Sequence, residues 1–233
     1  MKILLALFTL IPSFVNGQSA EVYFESGNTK SNVGMYMEAI KDYTIAIKME
    51  PKYVVAYNGR ATAKAHLADY RGAIADYDIS IRIDSSIADS YLNRAVIKAT
   101  MRDHQSAIPD YNKSIEIDPN NDLSFTFRGI AKIFLKDYMG AIADFNKAIE
   151  INPKYEEAYL GRGDAKGQLK DLRGAIVDYD MAIEIDPKYA KPYLRRGLAK
   201  IIFGQLDQGC LDLSKAGELG LGEAYDLIKD LCK

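Results

Sequence analysis

The residue types that most often carry chemistry are scarce in this chain: of 233 residues, two are His and two are Cys. His66 and His104 stand far from Cys210 and Cys232 in sequence, so the spacing offers no closed zinc site. Neither His has a Ser or Cys partner implied by spacing, which leaves no nucleophile–base pair to assemble. Carboxylates are plentiful, Asp+Glu 32, yet they recur at fixed intervals rather than as pairs, so acid–base chemistry finds no support. Lys+Arg 30 brings the formal charge to -2, without the basic excess that nucleic acid phosphates require. The expectation is a protein with no catalytic residues, no metal, no cofactor and no nucleic acid partner. With 48% hydrophobic and 27% charged residues, the chain has the composition of a packed globular protein.

The fixed intervals are the organising feature. Segments starting at Ala20, Val54, Ala88, Asp122, Glu156 and Ala190 align without gaps, each 34 residues after the last. Counting the first residue of each repeat as position 1, position 4 is Tyr23, Tyr57, Tyr91, Phe125, Tyr159 and Tyr193. Position 8 is small: Gly27, Ala61, Ala95, Gly129, Gly163, Gly197. Position 20 is Ala39, Ala73, Ala107, Ala141, Ala175 and then Gly209, and position 24 is Tyr43, Tyr77, Tyr111, Phe145, Tyr179 and then Leu213. Pro or Ser closes the first five repeats at position 32, as Pro51, Ser85, Pro119, Pro153 and Pro187. Positions 4, 8 and 11 share one helical face, as do 20, 24, 27 and 28, so each repeat reads as two amphipathic helices joined by a turn. Small residues at 8 and 20 let the two backbones approach, and the aromatics fill the space beside them. One hairpin cannot bury both of its faces, but a stack can.

This spacing and order of aromatic, small, Ala, aromatic and Pro positions resembles the tetratricopeptide repeat family. The resemblance implies an all-α solenoid of six helix-turn-helix hairpins, residues 20–53, 54–87, 88–121, 122–155, 156–189 and 190–223. Past Ala216 the glycines Gly217, Gly220 and Gly222 are expected to break the last helix, and residues 224–233 to form a capping helix. Pro109, at position 22, is expected to kink its helix or impose a 3₁₀ turn. Position 16, which is Asp69, Asp103, Asp137 and Asp171 in the middle repeats, reads as a turn or helix N-cap site.

Three charged positions depart from the family pattern. Position 7 is Ser26 and then Arg60, Arg94, Arg128, Arg162 and Arg196; position 11 is Lys throughout, and position 23 is Asp throughout, from Asp42 to Asp212. They read as a ladder of structural ion pairs rather than a ligand track. Since only the first repeat lacks the Arg, each Asp is expected to pair with the Arg of the following repeat.

The resemblance also implies that first helices line a concave groove with positions 2, 5, 6, 9, 12 and 13. A carboxylate-gripping Lys/Asn set used by some relatives is not carried over: Phe24, Asn28, Gly59, Asp89 and Asn93 match it once, and Lys191 and Arg195 match only its last part. Instead, Leu92 and Val96 of repeat three and Leu123, Phe127, Ile130, Ile133 and Phe134 of repeat four make an apolar stripe. Contiguous outward groups of this size mark an interaction surface unless another element covers them. In repeat six, Leu194, Leu198, Ile201 and Ile202 are expected to meet the cap. Two functions follow: an interaction module holding a protein partner, as an extended peptide or amphipathic helix, or a scaffold subunit whose stripe is buried in a homo-oligomer or envelope assembly.

Residues 1–17, with Lys2, an apolar run and the small-residue end Val15-Asn16-Gly17, read as a secretory signal peptide, with an uncleaved anchor as the alternative. No later stretch approaches a membrane span. The expected location is periplasmic or secreted, where Cys210, at an otherwise Ile position, and Cys232, on the cap, either form a disulfide or pack as two thiols.

Overall fold

The computed structural model describes residues 19–232. The expected signal peptide lies outside the described residues. Every described element is helical, and the first helices of the hairpins start at the six repeat origins. Two compact units are present. The first holds α1 (Ala20–Asn32), α2 (Tyr36–Met49), α3 (Val54–His66) and α4 (Tyr70–Ile83). The second begins at Asp84 and holds α5 (Ala88–Thr100), α6 (His104–Ile117), α7 (Asp122–Phe134), α8 (Tyr138–Ile151), α9 (Glu156–Gln168), α10 (Leu172–Ile185), α11 (Ala190–Ile202), α12 (Leu206–Glu218) and α13 (Glu223–Leu231). Within each unit consecutive helices pack as neighbours, and α13 packs on α12. The fold class is all-α, the hairpin stacking of a tetratricopeptide-repeat solenoid.

Position 24 forms the centre of each hairpin. Tyr43, Tyr77, Tyr111, Phe145, Tyr179 and Leu213 are all buried, the first five beside alanines at position 20 that are fully enclosed. The small residues are required by these rings: a Cβ on Gly129 would lie 3.0 Å from Phe145, and one on Gly161, in the next repeat, 2.4 Å from it. The ring is thus seated between two helices that must both be bare at that point.

Each hairpin turn passes through a left-handed residue at position 15. Gly34 and Gly204 take it at φ 80° and 89°, but Ala68, Arg102, Lys136 and Lys170 occupy the same place at 60° to 67°. That conformation opposes a Cβ by roughly 1–2 kcal/mol per residue, so the four middle turns are held against a local preference. The following Asp compensates. Asp69, Asp103, Asp137 and Asp171 each accept a bond from the backbone N–H three residues on, at 2.9–3.1 Å, capping the second helix.

Two expectations need correction. Helix α6 runs as unbroken α-helix from His104 to Ile117 through Pro109, with no 3₁₀ turn. Pro109 and Gln105 are both exposed, so the carbonyl left without its amide faces water. Gly217 does not break α12, which continues to Glu218. It is bare because the Tyr225 ring of α13 sits against it, 2.7 Å from where its Cβ would be. The chain turns instead at Gly220, φ 101°.

The cap closes the end of the stack. Ala224, Leu227, Ile228 and Cys232 pack against Leu194, Leu198, Ile201, Leu213 and Ala216. Cys210 and Cys232 form a disulfide with their Cα atoms 5.9 Å apart, tying α12 to the end of α13. Ile202 is not part of this packing and remains 72% exposed, contrary to the expected contact with the cap.

Candidate interaction groove

The charged ladder decides which charges are free. Each position-23 Asp is buried, and in repeats two to six it takes its Arg from its own repeat, sixteen residues earlier, not from the following one. Arg162 Nε lies 3.0 Å from Asp178 Oδ2 and its Nη2 2.6 Å from Oδ1, while Lys166 Nζ reaches Oδ2 at 2.8 Å. The same three-residue arrangement recurs with Arg60, Arg94, Arg128 and Arg196; in repeat one, Ser26 and Lys30 hold Asp42. Positions 7 and 23 face one another across the hairpin, which is why the pairing is internal. The third guanidinium nitrogen reaches the preceding repeat: Arg60 to Thr44, Arg128 to Asn112, Arg162 to Asn146 and Arg196 to Asp180. In the first repeat Ser26 stands at position 7 and bonds only across its own hairpin among the described residues, to Asp42. These cations are consumed by structure.

The expected stripe is only partly assembled. Within the second compact unit, a depression of about 320 Å³ is lined by Val96, Phe127, Ile130 and Phe134 with Ala99, Thr100, Arg102, His104, Tyr111 and Ala131. A second, of about 760 Å³, shares Ile130 and Phe134 and continues over Ile133, Leu160, Leu198 and Ile202. Five of the seven stripe residues therefore border one groove running over α5, α7, α9 and α11. Leu92 does not: it is 5% exposed, packed against Ala95, Tyr111 and Ala131 as core. Position 5 turns inward, and Leu160 and Leu194 are likewise buried there. Leu123 is exposed but borders neither depression.

Phe134 is the most open of the aromatic lining groups, 56% exposed, and its ring stacks on His104 at 4.3 Å. His66 stacks on Tyr36 at 4.4 Å by the same geometry, position 13 on position 17 of the preceding repeat. Both His are thus stacking partners in repeat interfaces, and neither meets a nucleophile. Among the described residues no cluster of His, Cys, Asp or Glu could hold a metal ion.

The wider depression carries charges that the apolar stripe did not reveal. Glu157 and Lys191 at position 2 lie at its edge, and Asp164 and Arg195 face each other at 3.4 Å. Burial raises the Asp164 carboxyl above the usual carboxylate range, against the opposing pull of Arg195 and of the Tyr179 hydroxyl bonded to it at 2.9 Å. Glu157 is raised as well, by burial and then by neighbouring Glu156. The hydroxyl of Tyr189, beside them, is pushed up to about 12 by burial and the acidic groups around it. The signal that could have found this end was the change at position 9 from an apolar residue, Ile130, to Asp164.

A stack of helix hairpins with depressions along its first helices defines a helical-repeat scaffold. Family models described as tetratricopeptide repeat match residues 88–121 and 156–189, and one described as TPR repeat matches 135–170. The chain belongs to the tetratricopeptide-repeat family. Among solved structures it is similar to pilF of Pseudomonas aeruginosa, at 16% identity and TM-score 0.79, covering 91% of this chain and 96% of that one. It is also similar to YrrB, described as a TPR protein with an unusual peptide-binding site, at 21% identity, TM-score 0.64 and coverage of 80% and 97%. MamA is similar at 24% identity, TM-score 0.64 and coverage of 71% and 96%. No curated protein matches the sequence. Membership of this family supports a role in protein–protein interaction. No helix among the described residues is long and apolar enough to cross a membrane.

Proposed function

We propose that the protein is an exported, non-enzymatic interaction module that holds an extended peptide or an amphipathic helix of a protein partner in the groove over α5, α7, α9 and α11. The observation that supports this reading is the continuity of the two depressions through Ile130 and Phe134, with apolar walls and a few polar groups at one end. An apolar side chain of a bound segment gains roughly 1.5–3 kcal/mol on burial, so two or three such anchors give specific capture. The description of YrrB as a peptide-binding TPR protein supports the same reading.

The test is to pan random dodecapeptides displayed on phage against the full chain and titrate enriched peptides against Phe134→Asp. Phe134 is 56% exposed, so the substitution costs the His104 stack but spares the hairpin core; Phe127, packed against the Leu92–Tyr111 core, is the poorer choice. Loss of binding with unchanged helix content supports the groove. Enriched peptides that ignore Phe134→Asp, or an absence of enrichment, contradict it. Light scattering of the free protein should show a monomer, since an obligate oligomer would bury the groove.

A further inference from the structure

Position 24 follows a rule that one repeat breaks. In repeats one and five its hydroxyl donates to a side-chain oxygen at position 9 of the same repeat: Tyr43 to Asn28 at 2.8 Å, Tyr179 to Asp164 at 2.9 Å. In repeat two Tyr77 shares a 2.8 Å bond with Thr62, again at position 9. Where position 9 is apolar in repeats four and six, as Ile130 and Leu198, position 24 has no hydroxyl, being Phe145 and Leu213. Polar partner and hydroxyl are kept or lost together, as the penalty for an unpaired buried polar group requires.

Repeat three keeps the hydroxyl without the partner. Position 9 is Val96, and Tyr111, only 1% exposed, has no hydrogen-bond partner among the described residues. Both residues border the 320 Å³ depression of the groove. Burial raises the Tyr111 pKa, so at neutral pH the phenol keeps its proton and can donate. His104, which borders the same depression, carries a buried Nδ1 that also lacks a partner. Tyr111 and His104 thus border one hollow in the groove, the first with a hydroxyl that no side chain of the described residues takes up and the second with an enclosed, unpartnered Nδ1.

We infer that the Tyr111 hydroxyl reads the bound partner: it donates to an oxygen of the partner segment, which takes the place that Asn28, Thr62 and Asp164 hold in the sibling repeats, while an apolar side chain of that segment fills the hollow between Val96, Phe127 and Phe134. This rests on the groove being the peptide site, and it adds a chemical requirement. The captured segment carries a hydrogen-bond acceptor beside a bulky apolar residue.

The experiment uses the enriched dodecapeptides and the full chain. Tyr111→Phe removes only the hydroxyl and should weaken the peptides about five- to tenfold. Val96→Asn, which supplies the internal acceptor of repeat one, should weaken them similarly while raising the thermal midpoint. Tyr111→Phe should not lower that midpoint, in contrast to Tyr179→Phe, which removes a made bond. Peptides that lose binding with Phe134→Asp but ignore Tyr111→Phe overturn the inference and leave the groove standing. Peptides indifferent to Phe134→Asp overturn both. A midpoint lowered as much by Tyr111→Phe as by Tyr179→Phe shows an internal partner and ends the proposal.

Discussion

Arg162→Met tests whether the charged ladder is a desolvated structural element. The carboxylate it serves, Asp178, is 1% exposed, and the substitution removes Nε at 3.0 Å and Nη2 at 2.6 Å together with the 2.8 Å bond to Asn146. Lys166 at 2.8 Å remains, so Asp178 keeps one of its two cations. Breaking a buried pair from one side destabilises by about 3–5 kcal/mol because the surviving charge is left poorly compensated. With Lys166 in place the lower end applies, about 3 kcal/mol. In urea unfolding followed by far-ultraviolet circular dichroism, that corresponds to a midpoint lower by roughly 1–2 M at the slopes usual for small domains. The double variant Arg162→Met, Asp178→Leu should recover most of the loss, since it removes the buried carboxylate and the partly exposed Lys166 side chain can carry its ammonium to water. A single-variant loss below about 1 kcal/mol, the range of exposed pairs, or a double variant no better than the single one, would refute the argument.

Pro109→Ala restores an amide to the interior of α6 and should raise stability by about 2 kcal/mol, the roughly 3 kcal/mol helix-interior penalty less the gain in unfolded-chain freedom; an unchanged or lower melting temperature contradicts it. Ala68→Gly relieves the left-handed turn at φ 60° and should stabilise by about 1 kcal/mol, read as a higher urea midpoint. Thiol titration of the denatured, unreduced protein should find no free thiols, and reduction should speed amide exchange in Glu223–Leu231 as about 3 kcal/mol of loop constraint is lost; exchange there that ignores reductant would show a cap held by packing alone. Because burial raises the Asp164 pKa above 3.8, the folded state binds more protons than the unfolded state just above that value, so its contribution to stability is greatest below pH 3.8 and falls as pH rises through the raised pKa. Asp164→Asn should flatten that part of the pH profile, and a slope identical to that of the parent would contradict the assignment.

Repeat origins, hairpin positions and the inward faces were legible because 34-residue periodicity repeats the same burial pattern six times, so Tyr43 through Tyr179 identify one another. Pairing partners were not. The composition of positions 7 and 23 is the same whether Arg162 meets Asp178 of its own repeat or an Asp of the previous one, and only the hairpin geometry separates the two. The groove was half legible for a similar reason. Apolar residues such as Ile130 and Phe134 stand out at outward positions of the first helices, but Leu92 has the same chemistry while pointing into the core. Asp164 and Tyr111 gave no signal alone; each acquires meaning only from the residue fifteen positions away that faces it.

The proposed function places the binding surface on first helices α5, α7, α9 and α11. Amide hydrogen exchange of the full chain, with and without a saturating enriched dodecapeptide, tests it most directly. Protection should concentrate on residues 96–100, 127–134, 157–168 and 191–202. Protection confined instead to the outer second helices, around Asn146, Lys147 and Asp180, would contradict the account.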